Sequence, residues 1–134
     1  MPSLISIIIP FYKKKKFFSK TIDSIKKQTY KNYEVIFVYD DPNKEDLFFV
    51  KKILNKIKKK KILINKTNLG AGYSRNIGIK NSNGKFIAFL DADDIWHKNK
   101  LKTQLIFMKR KKSDLSFTSY NIIQAEVTKI LTSL

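Results

Sequence analysis

Residues 86–94 read FIAFLDADD, in which five apolar residues lead into three acids within four positions. An apolar run of this length, introduced here by the turn signal Asn83-Gly84, is typical of a buried strand in a parallel sheet. Side chains alternate along a strand, so we expect Asp91 and Asp93 to point to the same side where the strand ends. The stretch therefore predicts a buried strand that delivers acidic side chains to one edge of a sheet.

Strand and helix patterns alternate through the rest of the chain. Short apolar runs predict further strands at residues 6–9, 33–39, 62–64 and 115–118. Apolar residues at helical spacing predict helices at residues 18–28, 47–57, from the turn at 68–72 to about 80, and 101–108. Alternating strands and helices indicate βαβ units, so we predict an α/β fold with a mostly parallel sheet flanked by helices.

The composition limits the size of the protein and the chemistry open to it. A chain of 134 residues with 43% hydrophobic residues fits one compact domain with its own core. It has no cysteine, which excludes disulfides, cysteine-ligated zinc and a cysteine nucleophile. No run of about 18 apolar residues is present and the first residues do not form a signal peptide, so we expect a cytoplasmic location.

The formal net charge is +17, and nearly all the positive charge is lysine, because Arg75 and Arg110 are the only arginines. Lysine runs at 13–16, 58–61 and 109–112 stand beside many isoleucines and asparagines, residues that share A/T-rich codons. Our first explanation for the many lysines is a compositional bias of the source. Peripheral contact with an anionic membrane at its cytoplasmic face is the second, since such surfaces attract lysine. Nucleic acid comes third, because specific readers favour the planar fork of arginine.

Polar residues follow three of the predicted strands, where parallel sheets bind their ligands. These turns are Pro10 to Tyr12, Asp40-Asp41, and Asp91 to Asp94. The carboxylates of Asp91 and Asp93 suit a hard divalent cation, Mg²⁺ or Mn²⁺. Alternatively, Asp93 or Asp94 caps the following helix. Three of the chain's eleven acids in four positions favour the metal.

Asp40, Asp41 and Arg75 each have two interpretations. A carboxylate at the end of the second strand can accept hydrogen bonds from a nucleotide base or ribose, but Asp-Asp-Pro-Asn is also a turn signal. Arg75 lies near a helix start, where it can bind a diphosphate. It can equally hold aspartates in place as a structural ion pair.

Aromatic residues and the single histidine give weaker signals. Tyr12 and Tyr73 can flank a planar base, although packing in the core is the commoner fate of such rings. We expect Trp96 to pack, and His97 to face solvent at the start of a helix rather than to bind metal.

Four segments taken in order resemble the family 2 glycosyltransferases, which have the GT-A fold. They are SIIIPFY (6–12), TIDSIKKQTYKNYEVIFVYDD (21–41), NLGAGYSRNIGIKNSNGKFIAFLDADD (68–94) and IWHKNKLKTQ (95–104). The resemblance covers residues 3–118. It implies a nucleotide-sugar-binding domain over residues 1–118 and a divergent C-terminal tail over 119–134.

The resemblance also implies a site for the sugar donor. Its residues are Pro10, Tyr12, Asp40, Asp41, Arg75, Asp91, Ala92 and Asp93. By this resemblance the end of the first strand and Asp41 hold the base. Asp91 and Asp93 form the DxD motif that holds Mg²⁺ or Mn²⁺ against the diphosphate, with Asp93 the direct ligand.

The function implied is transfer of a sugar from a nucleotide-diphosphate sugar, expected to be a UDP-sugar, to a saccharide or lipid-linked acceptor. In the family a carboxylate base lies well beyond the DxD motif. Asp114 and Glu126 are the only acids downstream here, and neither lies in a recognisable base motif. The sequence thus matches a GT-A fold truncated before its acceptor-binding half, which a second chain or a homodimer would have to supply.

Two other functions stay open from the sequence. One is a non-catalytic nucleotide-sugar-binding module or pseudoenzyme. The other is a basic protein that binds a membrane surface or, less well supported, nucleic acid on a GT-A scaffold.

Overall fold

Strands and helices alternate along the chain, as the periodicity predicted. The computed structural model describes residues 2–123 and 128–131. The elements are β1 (Ile5–Phe11), α1 (Lys15–Lys26), β2 (Tyr33–Tyr39), α2 (Leu47–Leu54), β3 (Lys60–Ile64), α3 (Ala71–Lys80), β4 (Phe86–Phe89), α4 (Lys100–Lys111), β5 (Tyr120–Ile123) and β6 (Thr128–Leu131). The first four strands form one sheet in the order β3-β2-β1-β4, and every pair in it is parallel.

The two central strands carry most of the core. All seven residues of β1 are buried, and so are six of the seven in β2. Their β-branched and aromatic side chains fit a pleated surface that is covered on both faces. Ile5 pairs with Tyr33 at one end of the register and Phe11 with Tyr39 at the other, so both strands end at the same level.

Aromatic rings pack beneath the carboxyl edge of the sheet. The Phe11 ring stacks on Tyr39 with centroids 5.5 Å apart, and it meets Phe18 of α1 edge-on at 5.4 Å. All three side chains are fully buried. This cluster gives the loops that follow β1 and β2 a rigid base.

A buried polar network joins the amino ends of the strands to the turn before β4. The Ser6 hydroxyl donates to Glu34 Oε1 at 2.6 Å, and the Asn83 amide donates to the same oxygen at 2.7 Å. The Gly84 amide in turn donates to Ser6 Oγ at 2.8 Å. Burial raises the pKa of Glu34, but these hydrogen bonds outweigh burial and the net shift is downward.

The predicted strand at residues 115–118 is wrong. No strand is present there, and the next one is β5, which pairs antiparallel with β6. Polar side chains of this segment bond to α4: Lys100 Nζ donates to Thr118 Oγ1 at 3.1 Å and Gln104 Nε2 to Ser116 Oγ at 3.2 Å. The alternating residues Leu115 and Phe117 are left exposed.

The bounds of several helices differ from the predicted ones. The predicted helix at 47–57 ends at Leu54, while the one at 101–108 extends to Lys111 and stops at Lys112, whose φ is +51°. The proposed division at residue 118 stays a prediction, and Glu126 lies outside the described residues. Within residues 2–123 and 128–131, no helix has both the length and the apolar character to cross a bilayer.

Candidate functional site

Three loops and one helix start meet at the carboxyl edge of the sheet. The strands β1, β2 and β4 are neighbours and parallel, so the loops that follow them leave from the same edge. The Asp40 amide donates to Phe11 O at 2.8 Å, and the Leu90 amide donates to Ile8 O at 3.0 Å. These hydrogen bonds hold the start of each acidic loop against β1.

The acidic loop after β4 forms a cluster of three carboxylates. Asp91, Asp93 and Asp94 are exposed, and one carboxylate oxygen from each lies within 4.8 Å of the others. A tight turn, closed by the Asp94 amide donating to Asp91 O at 3.0 Å, brings them together. Such a set of hard oxygen ligands fits Mg²⁺ or Mn²⁺. Asp91 and Asp93 were the predicted metal ligands, and Asp94 joins them in this cluster.

The helix-capping interpretation of the acids does not apply. The next helix, α4, begins at Lys100 with Asn99 at its N-cap position, well after Asp94. Its first turn contains no acid. The acids therefore have no helix to cap, which leaves their charge available at the edge of the sheet.

The pKa of Asp94 is raised both by partial burial of its carboxyl and by its acidic neighbours. Burial raises the pKa of the Asp94 carboxyl, and the negative charges of Asp93 and Asp91 raise it further, against an opposing effect of Lys14. Carboxylates this close disfavour simultaneous ionisation unless a positive charge lies among them.

Two cationic side chains reach the cluster from other elements. Arg75 Nη2, from the second turn of α3, lies 2.8 Å from Asp91 Oδ1. Lys14 Nζ, from the loop after β1, lies 3.2 Å from Asp93 Oδ2. All four side chains are at least one-third exposed, so both pairs face solvent. Sequence reasoning missed Lys14 because nothing distinguishes it within the lysine run at 13–16.

Asp40 holds the start of α3. Its side chain is 2% exposed, and its Oδ1 accepts hydrogen bonds from the Leu69 amide at 2.7 Å and Asn65 Nδ2 at 2.9 Å. Its Oδ2 accepts from the Gly70 amide at 2.8 Å. Gly70 has φ +90°, a conformation that favours glycine, and it precedes the first residue of α3. These contacts orient the helix that carries Arg75, and a contact of Asp40 with a nucleotide stays a prediction.

Asp41 forms the turn that its sequence indicated. Its Oδ1 accepts the Asn43 amide at 2.9 Å, and the Tyr39 hydroxyl donates to Asn43 O at 2.8 Å. Asp41 is 5% exposed. Its Oδ2 accepts no hydrogen bond from the described part of the chain, so one acceptor atom stays available at the edge of the sheet.

The two tyrosines lie at the surface rather than in the core. Tyr12 is 44% exposed and Tyr73 57% exposed. The Lys13 ammonium lies 5.1 Å from the centroid of the Tyr12 ring. Tyr12 directly follows β1 and Tyr73 lies in the first turn of α3, so both rings border the edge where the acids gather.

Pro10 and Ala92 are buried and act through the backbone. Pro10 is an interior residue of β1, paired with Val38. Ala92 is 2% exposed, and its carbonyl accepts the Thr21 hydroxyl of α1 at 2.9 Å. This bond ties the acidic loop to α1, so Ala92 fixes the loop without presenting a side chain to a ligand.

Trp96 packs and His97 is exposed, as expected; that His97 does not bind metal stays a prediction. Trp96 packs against the core, and its amide donates to Ser24 Oγ at 3.2 Å. His97 is exposed ahead of α4, and its carbonyl accepts Gln28 Nε2 at 2.7 Å. Within the described residues, His97 does not join the acidic cluster. Asp114 is exposed in the turn after α4 rather than at the start of a strand.

Known proteins resemble this chain in sequence and in structure. The family model for glycosyl transferase family 2 matches residues 6–133. A glycosyltransferase of Rickettsia bellii described as uncharacterized is 42% identical over 91% of this chain, which covers 17% of that protein. The Escherichia coli UDP-Glc:alpha-D-GlcNAc-diphosphoundecaprenol beta-1,3-glucosyltransferase WfaP is 40% identical over 89% of this chain. The chain covers 47% of WfaP, and so spans about half or less of these two relatives.

A solved structure supports the same assignment. Residues 1–349 of S. aureus TarS in complex with UDP-GlcNAc superpose with a TM-score of 0.74 and 33% sequence identity, over 82% of this chain and 32% of that one. The parallel sheet with flanking helices is the GT-A fold that the sequence predicted, covering only part of the longer proteins. The chain belongs to glycosyl transferase family 2.

Proposed function

We propose that the carboxyl edge of the sheet binds the diphosphate of a nucleotide sugar together with a divalent cation. The observation that carries the proposal is the meeting of three carboxylates with Arg75, 2.8 Å from Asp91, at one exposed edge. Asp91, Asp93 and Asp94 would hold Mg²⁺ or Mn²⁺, which when bound neutralises charge on phosphate oxygens. Arg75 would exchange part of its contact with Asp91 for the diphosphate.

The exposed rings and the free acceptor beside this cluster suit the nucleoside. Tyr12 and Tyr73 offer apolar faces for a planar base. Asp41 Oδ2 would accept a hydrogen bond from a base N–H. A uracil base is the proposed choice, supported by the names of two similar proteins: WfaP is a UDP-Glc glucosyltransferase, and TarS was solved in complex with UDP-GlcNAc.

Sugar transfer is the proposed activity of the whole protein. When the sugar–phosphate bond breaks, negative charge grows on the departing diphosphate. Side chains that stabilise this charge more strongly as it grows accelerate the step, and Arg75 is the side chain proposed to do so. The acceptor is proposed to be a saccharide or a lipid-linked saccharide, by analogy with the diphosphoundecaprenol in the name of WfaP.

The general base is proposed to lie outside this chain. In the described residues after Asp94, the only acid is Asp114, which is exposed in a turn. The outer edge of β4 supports a further partner, since Ile87 and Phe89 on that strand and Phe117 beside it are exposed apolar side chains. Additional sequence, as in the longer relatives, or a second chain would cover this edge and bind the acceptor.

Calorimetric titration of UDP tests the donor site. We expect binding in Mn²⁺ and its loss in EDTA, and we expect Asp93→Ala to abolish the Mn²⁺-dependent part. Asp114→Ala removes the same charge from an exposed turn and should bind UDP as the wild type does. A folded chain that binds no UDP in either condition contradicts the proposal, and so does equal loss of affinity in both variants.

A further inference from the structure

A basic surface free of acids lies where the end of α1 meets α4. Neither residues 24–33 nor residues 95–113 contain an aspartate or glutamate. The exposed basic residues that define this α4 basic face are Lys26, Lys27, Lys31, Lys98, Lys102, Lys109, Arg110, Lys111 and Lys112. The two stretches together present nine exposed basic side chains and no carboxylate.

Direct contacts show that the two stretches form one surface. The Thr29 amide donates to Lys98 O at 2.9 Å, and the Leu101 amide donates to Gln28 Oε1 at 3.1 Å. A shallow groove between them is lined by Lys31, Lys102 and Lys109 together with Tyr30 and Ile106. Three of the nine basic side chains therefore line one depression.

Apolar side chains stand among the lysines. Ile106 is 50% exposed and Phe107 49% exposed, one turn before the basic run that ends α4. On the inner side of the helix, Leu101 and Leu105 are buried. The outer side of α4 thus presents two exposed apolar side chains next to basic side chains.

This face lies away from the candidate donor site. The groove includes Pro2 and Asn32, and the Ile5 amide donates to Asn32 O at 3.1 Å, which places the groove at the amino ends of β1 and β2. The acidic cluster lies at the opposite, carboxyl edge. A partner bound to the α4 basic face would leave the acidic edge exposed.

We propose that the α4 basic face binds the surface of an anionic lipid bilayer. The charged groups of lysine and arginine are attracted to anionic lipid headgroups. Their long methylene chains let neighbouring apolar side chains reach the boundary between the headgroups and the acyl chains. An amphipathic helix with basic and apolar residues on its outer side lies in the plane of such an interface, and Ile106 and Phe107 are the groups that would enter it.

The composition of the face favours a bilayer over RNA. Arg110 is its only arginine, whereas sequence-specific RNA recognition uses guanidinium forks and stacked aromatic rings. A bilayer needs only positive charge and apolar groups that can enter the interface, and both are present here.

Co-sedimentation with vesicles tests the proposal on the 134-residue chain. Vesicles of phosphatidylcholine with one-quarter phosphatidylglycerol should bind it, pure phosphatidylcholine vesicles should not, and salt should weaken the binding. Lys102→Gln, Lys109→Gln and Arg110→Gln together should lower the partition coefficient about a hundredfold, from about fivefold for each basic side chain near the surface. Phe107→Ser should lower the binding that persists at high salt.

A matched variant separates local from total charge. Lys51→Gln, Lys52→Gln and Lys80→Gln remove the same charge from exposed positions on α2 and α3. We expect this control to keep binding within about fivefold of wild type. Equal loss in both triple variants, with unchanged circular dichroism, overturns the assignment of the face. Binding of a single-stranded RNA by a chain that ignores anionic vesicles overturns it in favour of nucleic acid.

Discussion

The Asp40 carboxylate accepts a hydrogen bond from the Gly70 amide at 2.8 Å, which joins the residue after β2 to the residue before α3. Asp40 is buried, and its other oxygen accepts the neighbouring Leu69 amide. A carboxylate that receives backbone donors ahead of a helix satisfies N–H groups that the helix itself leaves without partners. Arg75 lies farther along this helix, so Asp40 supports the element that carries Arg75.

Replacing Asp40 by asparagine should destabilise the fold. The carboxamide turns one acceptor into a donor, which leaves a buried backbone N–H without a partner at a cost of about 1–3 kcal/mol. Urea denaturation would measure the free energy of unfolding. Asp114→Asn, an exposed control, should stay within about 0.5 kcal/mol of wild type. Equal stability of the two variants would show that the hydrogen bonds of Asp40 contribute nothing net.

Sequence periodicity predicted the strands of the parallel sheet. The runs that became β1 and β2 are apolar apart from Ser6 and Glu34 and are almost wholly buried, so no partner had to be known in order to recognise them. The run at β4 was also recognised as a strand, but the expectation that it is buried was only partly right, because it lies at the edge of the sheet and Ile87 and Phe89 are exposed. The carboxyl edge followed from parallel topology, and the structure brings Asp91 and Asp93 together there as expected. These features depend on local pattern and on one topological rule.

The features that were missed depend on contacts between distant parts of the chain. Residues 115–118 have the apolar alternation of a strand, but Ser116 and Thr118 bond to α4 instead of to a neighbouring strand. The role of Asp40 required knowing that residues 69–70 would come within hydrogen-bonding distance. Lys14 is one of four consecutive lysines, and only the fold selects which of them meets Asp93.

Substitution of Arg75 by lysine should separate ligand binding from stability. An arginine can hold Asp91 and a diphosphate oxygen together, whereas a lysine is a single point charge. Because the pair with Asp91 is partly exposed, we expect the free energy of unfolding to change by less than about 1 kcal/mol. The affinity for UDP in Mn²⁺ should fall about tenfold, which is about 1.4 kcal/mol. Unchanged affinity in calorimetry would reduce Arg75 to a structural partner of Asp91.

Two glycine-to-alanine substitutions should have opposite effects. A Cβ atom at Gly84 would lie 2.5 Å from Ser6 Oγ and 2.6 Å from the Ser6 backbone nitrogen, so the turn before β4 would have to move. We expect a loss of about 1–3 kcal/mol, as for other overpacked sites. Gly72 lies in α3 with no atom within 4 Å of its Cβ position, and alanine there should stabilise by up to about 1 kcal/mol. Thermal denaturation of both variants checks the pair, and a neutral Gly84→Ala would contradict the close approach.

Acid should weaken the fold partly through Glu34. Burial alone would raise the pKa of this carboxyl, but hydrogen bonds from Ser6 and Asn83 bring it below its ordinary value of 4.5. A carboxyl whose pKa is lower in the folded state contributes stability that is fully present above the unfolded pKa, and that is lost as the pH falls through the folded pKa. Glu34→Gln replaces the carboxylate that accepts these hydrogen bonds by a neutral amide, so the variant should be less stable than wild type at pH 7. The amide does not titrate. The difference in stability between the two proteins should shrink steadily below about pH 4.5.

Urea denaturation at pH 7 and at several acidic values measures this difference, with the exposed Glu45→Gln as the control for loss of one negative charge. A difference that grows on acidification would contradict the downward shift, because that sign belongs to a carboxyl whose pKa is raised by folding.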